Sequence, residues 1–447
     1  MGLPPGPRGP AVLSTVRFVR WPVQTLRAWH ARYGDLFTVR FTGFGTGVYV
    51  VDPEAIRELF TGDQSDLRAG EANSFMEPVL GPHSVLVLDG PEHLRQRKLL
   101  LPPFQGSRVG AFREVIREVA EREIAGWQAG QELVLRERMR ALTFEVICRA
   151  VFGVTRPERV ERLRVTLGAV IDSSPIFMIA PAIRADLGPL SPGGRFARRL
   201  RAADELLYEE IEERRREPDL EERSDVLSLL LRARDEEGQA MSNAELRDEL
   251  FTMLGAGHET TATGLAFAFE LLLRNPRVLG RLREEIAAEE DDAYLDAVVK
   301  ETLRLRPIID AAERTLTKPR TVAGWELPAG MKVYPGIALV HLREDLYPQP
   351  HEFRPERFSE DGAESYSWLP FGGGIRRCIG AALAQAEMAE VLRIAVPAVE
   401  LALLREQPEP VVLRGITLAP KYGVGVVVRG VRAPLAGAVA PVPVAAA

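Results

Sequence analysis

The sequence predicts a mostly α-helical fold with a minor β portion. Long stretches of residues 91–300 carry apolar side chains at three-and-four spacing, the period of an α-helix with one buried face. Segments rich in Val, Phe and Tyr lie near the N-terminus, and further short strand-like segments follow Pro307. Helices in the middle of the chain, with strands towards its ends, are typical of the α+β class.

The first strands form a predicted hairpin. Asp35–Arg40 and Gly47–Val51 are the strand segments, and the glycine-rich stretch Gly43–Gly47 suits the turn between them. Pro53 then stands at a first helical position, where its missing N–H costs nothing. We therefore expect a helix over Glu54–Phe60.

The middle of the chain contains several predicted helices. Gly110–Gln128 and Leu135–Val151 show helical periodicity, and Ala197–Arg216 reads as a solvated helix with intrahelical ion pairs. Between them, Ser173–Arg195 carries four prolines and should break helical structure. This segment is predicted to be either a lid over a site or a loop with a buried apolar plug.

After Pro307 the predicted structure changes from long helices to short strands and irregular segments. A long irregular stretch, Asp345–Gly374, is dense in Pro, Gly and aromatic residues, and irregular segments of this length are usually functional. The regular elements predicted around it are short strands at Thr321–Leu327 and Lys332–Tyr334, a helix at Ala381–Ile394, and a final pair of strands at Val411–Leu418 and Val424–Val428.

The composition describes a soluble globular protein. The 447 residues are 46% hydrophobic and 27% charged, with a net charge of −6. Basic residues are interleaved with acidic ones, which argues against a nucleic-acid binder. No apolar run reaches the ~18 residues of a spanning helix, and the proline-rich N-terminus lacks a signal-peptide pattern.

The domain organisation is predicted to be simple. Residues 1–430 should form one domain, and residues 431–447, an Ala/Pro/Val string without charge, should be disordered. Two distant cysteines, Cys148 and Cys378, cannot make a disulfide framework. We expect a reduced, cytoplasmic setting and a monomer.

A glycine-rich segment around Cys378 carries the strongest chemical signal. It reads Leu369-Pro-Phe-Gly-Gly-Gly-Ile-Arg-Arg-Cys378-Ile-Gly-Ala-Ala-Leu. Three consecutive glycines allow unusual backbone conformations and close approach to a flat ligand. The following helix start, with Arg376 and Arg377, favours the thiolate form of the cysteine, which is the form that binds iron. A buried structural cysteine beside a turn is the alternative for a lone cysteine.

The ordered set Phe371, Gly374, Arg376, Cys378 and Gly380 resembles the haem-binding signature of the cytochrome P450 family. The signature is Phe-x-x-Gly-x-Arg-x-Cys-x-Gly, and the family's motifs occur here in the family's order. The resemblance implies the cytochrome P450 fold, with haem b between this cysteine loop and an oxygen-side helix. It also implies a haem-thiolate monooxygenase.

The resemblance assigns roles to individual residues of the loop. Cys378 is the implied axial ligand of the iron, and Phe371 packs beside the sulfur. Gly372 and Gly380 contact the cofactor, since Gly380 lets the following helix pass close to the porphyrin. Arg376 offers a charge-assisted hydrogen bond to a haem propionate.

A second segment, Phe251–Gly264, is strongly helical at its flanks but contains interior glycines. Each interior glycine costs about 1 kcal/mol relative to alanine, so Gly255 and Gly257 should make room for something bulky. The Thr260 hydroxyl can bind the carbonyl of Ala256 and bend the helix locally. Tight helix–helix packing through small residues is the alternative.

The residues from Ala256 to Thr261 are similar to the family's oxygen-binding motif. By that similarity Ala256 lies against the cofactor, Thr260 helps to deliver protons to the bound oxygen, and Glu259 relays protons from solvent. His258 occupies the variable position of the motif and is interpreted as non-catalytic.

Two supporting constellations follow from the same resemblance. Glu301, Arg304 and Arg357 match a buried charge network that supports the cysteine loop, whereas a surface ion pair is the alternative for Glu301 and Arg304 alone. His93, Arg97 and Arg314 match donors to the haem propionates, together with Arg376. The alternative for His93 and Arg97 is a pair of exposed polar residues on a helix.

The substrate cannot be identified from the sequence. The candidate pocket residues are mostly apolar and would fit a fatty acid, terpenoid, steroid or macrolide-like compound. They are Val85, Leu86, Phe177, Ile179, Ile308, Ile309 and Tyr422.

The implied reaction inserts one atom of O2 into a C–H or C=C bond, by hydroxylation or epoxidation. No flavin or nicotinamide motif is present, so electrons should come from a ferredoxin with its reductase, or a flavodoxin. We expect the donor to dock on a face that includes Arg95, Lys98 and Arg377. The alternatives are a peroxide-driven haem-thiolate peroxygenase and, in a different class, a non-catalytic haem-binding or sensor protein.

Overall fold

The computed structural model describes residues 2–179, 181–288, 291–359 and 366–432. It is 56% helical with some sheet, which confirms the predicted mostly α-helical fold with a minor β portion. Residues 433–447, in the predicted disordered tail, lie outside the described residues. Every helix in the described ranges is too short or too polar to span a lipid bilayer.

The helices follow one another through most of the chain. They are α1 Ala11–Arg20, α2 Pro22–Tyr33, α3 Pro53–Thr61, α4 Ala69–Asn73, α5 Glu77–Leu80, α6 Gly90–Leu100, α7 Ser107–Ala125, α8 Leu135–Phe152, α9 Pro157–Ile179, α10 Pro192–Arg216, α11 Val226–Arg232, α12 Asn243–Arg274, α13 Pro276–Ala288, α14 Ala293–Leu305, α15 Ile337–Val340, α16 Glu356–Ser359 and α17 Ala381–Ala398. Short 3-10 helices lie at Ser74–Met76, Pro102–Phe104, Pro181–Arg184 and Gly374–Arg376.

The strands form small sheets at the edge of the helical body. They are β1 Leu36–Phe41, β2 Gly45–Val50, β3 Leu67–Arg68, β4 Glu132–Val134, β5 Arg314–Leu316, β6 Arg320–Val322, β7 Trp325–Leu327, β8 Lys332–Pro335, β9 Val399–Leu403, β10 Val411–Arg414, β11 Thr417–Pro420 and β12 Gly425–Val431. The largest sheet has the order β1-β2-β8-β5-β3, a second has the order β4-β12-β9, and β6-β7 and β10-β11 are hairpins.

Two predictions about the elements are wrong. The prolines of Ser173–Arg195 do not break the helix at its start, because α9 continues through Pro175 to Ile179. Phe177 of α9 stacks on Phe196 of α10 at 4.2 Å, and this packing holds the last turn. The segment Val411–Leu418, predicted as one strand, instead contains β10, a turn and the start of β11, and these two strands pair as a hairpin.

The long helix α12 forms the axis of the molecule. It begins with a capping box, in which the Ser242 hydroxyl accepts the Glu245 N–H at 3.2 Å and the Glu245 carboxylate accepts the Ser242 N–H at 2.7 Å. It packs against α8 and α17, and most of its side chains are buried. A helix buried on nearly all sides can present a reactive group only where its neighbours leave a gap.

The apolar interior has two parts. One lies among α7, α8, α12 and α17, and the other lies between the largest sheet and helices α2 and α3. Leu369 belongs to the sheet core, whereas Phe371 packs against the helical core. The cysteine loop therefore crosses the junction of the two cores.

Candidate active site

The cysteine loop is closed by backbone hydrogen bonds. The Cys378 N–H donates to the Phe371 carbonyl at 3.0 Å, the Gly372 N–H donates to Leu369 at 2.9 Å, and the Arg377 N–H donates to Gly374 at 3.1 Å. Helix α17 begins three residues after the cysteine. These bonds fix the sulfur at the tip of a rigid turn, immediately before the helix.

The three glycines of the loop have different functions. A Cβ on Gly374 would lie 1.9 Å from the Phe60 carbonyl oxygen, and a Cβ on Gly373 would lie 2.6 Å from the Phe60 ring. The space at these two glycines is therefore occupied by helix α3, and not by a flat ligand as predicted from the sequence. A Cβ on Gly372 or Gly380 would meet no protein atom within 4 Å, so these positions leave room beside the loop.

The two cysteines differ in accessibility. Cys148 is fully buried in α8, and burial raises the pKa of its thiol well above its usual value. Cys378 is exposed at the loop, although the protein around its sulfur also raises its pKa. The Gly380 N–H and the guanidinium groups of Arg377 and Arg97 act in the opposite direction.

The central turn of α12 leaves a gap on one face. Ala256 is exposed although the helix around it is largely buried, and a Cβ on Gly255 would meet no atom within 4 Å. A Cβ on Gly257, by contrast, would lie 2.7 Å from Cδ1 of Ile147 in α8. Tight helix packing therefore explains Gly257, whereas Gly255 and Ala256 leave space for a ligand.

Thr260 lies on the same part of α12. Its hydroxyl donates to the Ala256 carbonyl at 2.7 Å, as predicted. The neighbouring His258 is buried, contacts the Leu254 carbonyl through Nδ1 at 2.8 Å and lies edge-on to Phe144. Burial lowers its pKa to about 4, which keeps the ring neutral at ordinary pH.

Glu259 is held by two arginines of α8. Its Oε2 lies 2.7 Å from Nε of Arg140, and its Oε1 forms an ion pair with Arg136. Arg140 also binds Asp172 of α9 at 2.6 Å. Burial lowers the pKa of Arg136 to about 10, with the charge of Arg140 acting in the same direction. The carboxylate of Glu259 is therefore part of a charged cluster with Arg136, Arg140 and Asp172.

The predicted propionate donors converge near the cysteine loop. Arg376 donates to the carbonyls of Val85 and Leu88 and to Asp89, while Arg97 donates to the Arg377 carbonyl at 2.7 Å. Burial lowers the pKa of His93 to about 3, and the charges of Arg376, Arg97 and Arg314 lower it further. These electrostatic effects indicate that the four groups share one region.

The cluster formed by His93, Arg97, Arg314 and Arg376 contains more cationic groups than carboxylates to pair with them. Asp89 pairs with Arg376 at 2.6 Å, and within the described residues neither Arg97 nor Arg314 has a carboxylate partner. The Nε atoms of Arg314 and Arg376 are buried without a hydrogen-bond partner in the described part of the chain. Burial lowers the pKa of both groups to about 10. A ligand with two carboxylates, such as haem b, fits this uncompensated positive charge.

The buried charge network lies behind the loop. Glu301 accepts from Arg304 at 2.6 and 2.8 Å, from Arg357 at 3.2 Å and from the backbone N–H of Arg354 at 2.9 Å. Arg304 is fully buried and also donates to the carbonyls of His341 and Pro350. Nearly every polar atom of Glu301 and Arg304 has a hydrogen-bond partner. These bonds offset the free-energy cost of removing the two charges from water.

His341 supports the cysteine loop, a role that was not predicted from the sequence. Its Nδ1 contacts the Arg304 carbonyl at 3.1 Å, and its Nε2 accepts the Leu369 N–H at 2.8 Å. The imidazole thereby joins the charge network to the start of the cysteine loop. A lone histidine at the end of the short helix α15 gave no local signal for this role.

The candidate pocket residues divide into two groups. Val85 is bound through its N–H to Glu249 of α12 and through its carbonyl to Arg376, so Val85 and Leu86 lie between α12 and the loop. Ile308 and Ile309 precede Arg314, and the Ile308 carbonyl accepts the Leu418 N–H at 2.7 Å. The hairpin β10-β11 therefore lies beside Ile308, a contact that was not predicted from the sequence.

The other candidate pocket residues have different surroundings. Phe177 is buried in its stack with Phe196. Tyr422 is half exposed between the guanidinium of Arg405 and the ammonium of Lys421, as a surface aromatic would be. The side chain of Ile179 lies outside the described part of the structure.

The chain belongs to the cytochrome P450 family, whose model matches residues 4–424. It is a P450 monooxygenase that uses haem b with cysteine thiolate ligation, O2, an organic substrate and an external source of electrons.

Curated relatives match almost the whole chain. It is 42% identical to "Putative cytochrome P450 135B1" of Mycobacterium tuberculosis over 97% of this chain and 92% of the relative. It is 39% identical to "Putative cytochrome P450 135A1" of the same species over 94% of each chain.

Solved structures share the fold. The retinoic acid-bound cyanobacterial CYP120A1 matches with a TM-score of 0.83 and 26% identity, over 96% of this chain and 99% of that one. The cytochrome P450DA haem domain matches with a TM-score of 0.84 and 24% identity, over 97% of this chain and 98% of that one.

Proposed function

We propose that this enzyme inserts one oxygen atom of O2 into a C–H or C=C bond of a small, mostly apolar substrate and reduces the other atom to water. The observation that supports this most is the pairing of an accessible cysteine with a buried cationic cluster that lacks carboxylates. Haem b, when bound, supplies the activation of dioxygen.

Cys378 is the proposed axial ligand, since Cys148 is enclosed in α8. Arg314, Arg376, Arg97 and His93 would hold the two propionates. Arg314 and Arg376 are pre-oriented for this task because neighbouring backbone fixes their positions. The open faces at Gly372, Gly380 and Ala256 are the proposed contacts with the ring.

Thr260 and Glu259 are the proposed proton-delivery pair. The Thr260 hydroxyl stands beside the gap at Ala256. Its proton is donated to the Ala256 carbonyl, so the oxygen can accept a hydrogen bond from a group in the gap. Glu259 is adjacent in sequence and reaches the α8 arginines and Asp172, a charged route towards solvent. Proton supply of this kind decides whether bound oxygen is used productively.

The proposed substrate is apolar because the wall near the site is apolar. The proposed wall consists of Val85, Leu86, Ile308 and Ile309. It is supported by the backbone contacts of Val85 with α12 and the cysteine loop and by the contact of Ile308 with the hairpin β10-β11. A fatty acid, terpenoid, steroid or macrolide-like compound would suit such a wall. CYP120A1, which shares the fold, is described as bound to retinoic acid, an extended and largely apolar molecule.

Electrons are proposed to come from a ferredoxin with its reductase, or from a flavodoxin. Of the three cations expected at the docking face, Arg95 is bound to Asp235 at 2.6 Å and to Glu245 at 2.5 Å, so it ties α6 to α12. Arg377 is exposed beside Cys378, and Lys98 is exposed next to Glu236.

Arg377→Glu should slow reduction by an acidic donor about tenfold and leave substrate affinity unchanged. Arg216→Glu, on the exposed end of α10, is the control. Equal reduction rates in the two variants would reject the docking site.

The ligand assignment is tested by exchanging each cysteine for serine. The wild type and Cys148→Ser, reduced and exposed to carbon monoxide, should give the red-shifted Soret band of thiolate-ligated haem. Cys378→Ser should lose this band while still taking up haem. Turnover with hydrogen peroxide alone, equal to that with an electron donor, would favour the peroxygenase.

A further inference from the structure

An open cleft lies on the surface between helix α2 and the chain around the end of α15. Its volume is about 430 Å³, within the range of small-molecule sites in proteins. Among the described residues, its lining comes from α2 and from positions 339–351, and none of it comes from α12 or the cysteine loop. The cleft is therefore separate from the proposed haem site.

The floor of the cleft is apolar. Leu339 is buried and Leu342 is half-buried on one side, while Ala28 and Ala31 of α2 are exposed on the other. The two alanines stand three residues apart, so they lie on the same face of the helix. Because their side chains are short, helix α2 leaves the space beside the leucines unfilled.

Arg27 supplies positive charge at the rim of the cleft. Its Nη2 donates to Nε2 of His351 at 3.0 Å, and within the described ranges it has no carboxylate partner. A guanidinium has donors only, so this ring nitrogen must accept, and the ring is neutral with its proton on Nδ1. Burial lowers the pKa of His351, and the charge of Arg27 lowers it further, which agrees with a neutral ring. The pair therefore carries one net positive charge.

Two acids of this region do not offset that charge. Asp35 contacts His30 at 2.7 Å and Arg343 at 2.8 Å, so its own charge is already balanced. Glu344 acts on the imidazole of the pair electrostatically, but it is exposed to solvent. Since neither carboxylate binds the guanidinium of the pair, its remaining N–H groups are available to a ligand.

One wall of the cleft adjoins the charge network behind the cysteine loop. Leu342 follows His341, and His351 follows Pro350. The carbonyls of His341 and Pro350 accept hydrogen bonds from the buried Arg304 at 2.6 and 2.9 Å. A ligand that packs against Leu342 and His351 would therefore restrain the two backbone segments that hold Arg304.

We propose that this cleft binds a small organic carboxylate, with the charged group on Arg27 and the apolar body on Leu339 and Leu342. A carboxylate matches the single positive charge and can accept two parallel hydrogen bonds from a guanidinium. Gln24 at the rim offers a further amide donor. A phosphate monoester, with a charge of about −1.5 to −2, would exceed the charge that the cleft can balance.

The binding test uses the haem-loaded full chain, isothermal titration calorimetry and naphthalene-2-carboxylate as the probe. The uncharged naphthalene-2-carboxamide should bind at least tenfold more weakly, because it cannot pair with the guanidinium. Arg27→Gln should weaken binding of the carboxylate about tenfold or more, and so should Ala31→Leu, which fills the cleft but removes no charge. Arg32→Gln is the matched control, since this neighbouring cation of α2 lies over Tyr33 and should not contribute to binding.

Hydrogen–deuterium exchange locates the bound probe. The carboxylate should slow amide exchange in residues 339–351 of the wild type and of Arg32→Gln, but not of Arg27→Gln. The reduced carbon monoxide spectrum of each variant reports intact folding, and neither measurement depends on turnover. Absence of binding to the wild type, or equal affinity in Arg27→Gln and Arg32→Gln, would overturn the proposal. Slowed exchange in residues 251–264 instead of 339–351 would also overturn it, because the probe would then lie at the haem site.

Discussion

The Nε atom of Arg140 lies 2.7 Å from Oε2 of Glu259, and the same guanidinium binds Asp172 at 2.6 Å. The acid proposed for proton delivery is therefore paired with a cation that also contacts α9. Because Arg136 binds the other carboxylate oxygen, Glu259 is fixed from two sides. Any movement of Glu259 towards Thr260 must exchange these ion pairs for other contacts.

Glu259→Gln should lower the rate of product formation about 100-fold, because the amide keeps the size of the side chain but cannot carry a proton. The measurement is product formed per electron consumed, with the solvent isotope effect on turnover. Glu161→Gln is the control, since this half-exposed carboxylate of α9 pairs with Arg164 and does not belong to the cluster around Glu259. Wild-type turnover in Glu259→Gln would remove this residue from the proposed route.

Arg314→Gln should speed the loss of haem about tenfold, because a charged donor to a propionate is replaced by a neutral one. The rate of haem transfer to an excess of a haem-free acceptor protein measures this effect. Lys332→Gln, on the neighbouring strand β8, removes a cation that instead lies near Glu313. Equal haem loss in the two variants would contradict the assignment of Arg314.

The sequence allowed the helices and the site motifs to be predicted because these depend on local patterns. The Thr260–Ala256 hydrogen bond follows from a spacing of four residues on one helix, and so does the position of Cys378 before α17. Glu301 and Arg304 likewise stand three residues apart on α14. Local geometry sets each of these relationships, so a single stretch of sequence contains the information.

The features that were missed depend on partners distant in the sequence. Position 374 requires glycine because the backbone of Phe60 leaves no room for a Cβ. His341 supports the loop because its ring is hydrogen-bonded to both Leu369 and Arg304. Arg95 looked like a free cation, but Asp235 and Glu245 bind it from more than a hundred positions away. Nothing in the local sequence around these residues specifies such contacts.

Gly374→Ala should prevent the cysteine loop from forming its native turn. The two glycines Gly372 and Gly374 have similar positive φ angles, 65° and 63°, so alanine strains the backbone about equally at both. Only at position 374 does the new Cβ meet the Phe60 carbonyl oxygen.

The matched variant Gly372→Ala separates strain from collision. It should lower the free energy of unfolding by about 1 kcal/mol, whereas Gly374→Ala should lower it by several times more. Urea unfolding of both haem-free variants measures the difference. Equal destabilisation would show that the contact with Phe60 has no energetic consequence.

His341 should make the stability of the loop dependent on pH. Burial lowers the pKa of this imidazole to about 3, and the charge of Arg304 acts in the same direction, whereas an unfolded histidine has a pKa of about 6.5. Between these values the unfolded chain binds a proton that the folded chain does not. The contribution of the neutral ring is therefore complete above pH 6.5 and is lost progressively as the pH falls towards 3.

His341→Gln can keep one donor for the Arg304 carbonyl and one acceptor for the Leu369 N–H, but it does not titrate. The difference in unfolding free energy between wild type and variant should be constant above about pH 7. At pH 5 it should shift by about 2 kcal/mol to the disadvantage of the wild type. Urea unfolding of both proteins at pH 5, 6, 7 and 8 gives this difference, in which the other titrating groups cancel. A difference that does not change with pH would mean that the folded protein accommodates the protonated ring, with Nε2 no longer accepting from Leu369.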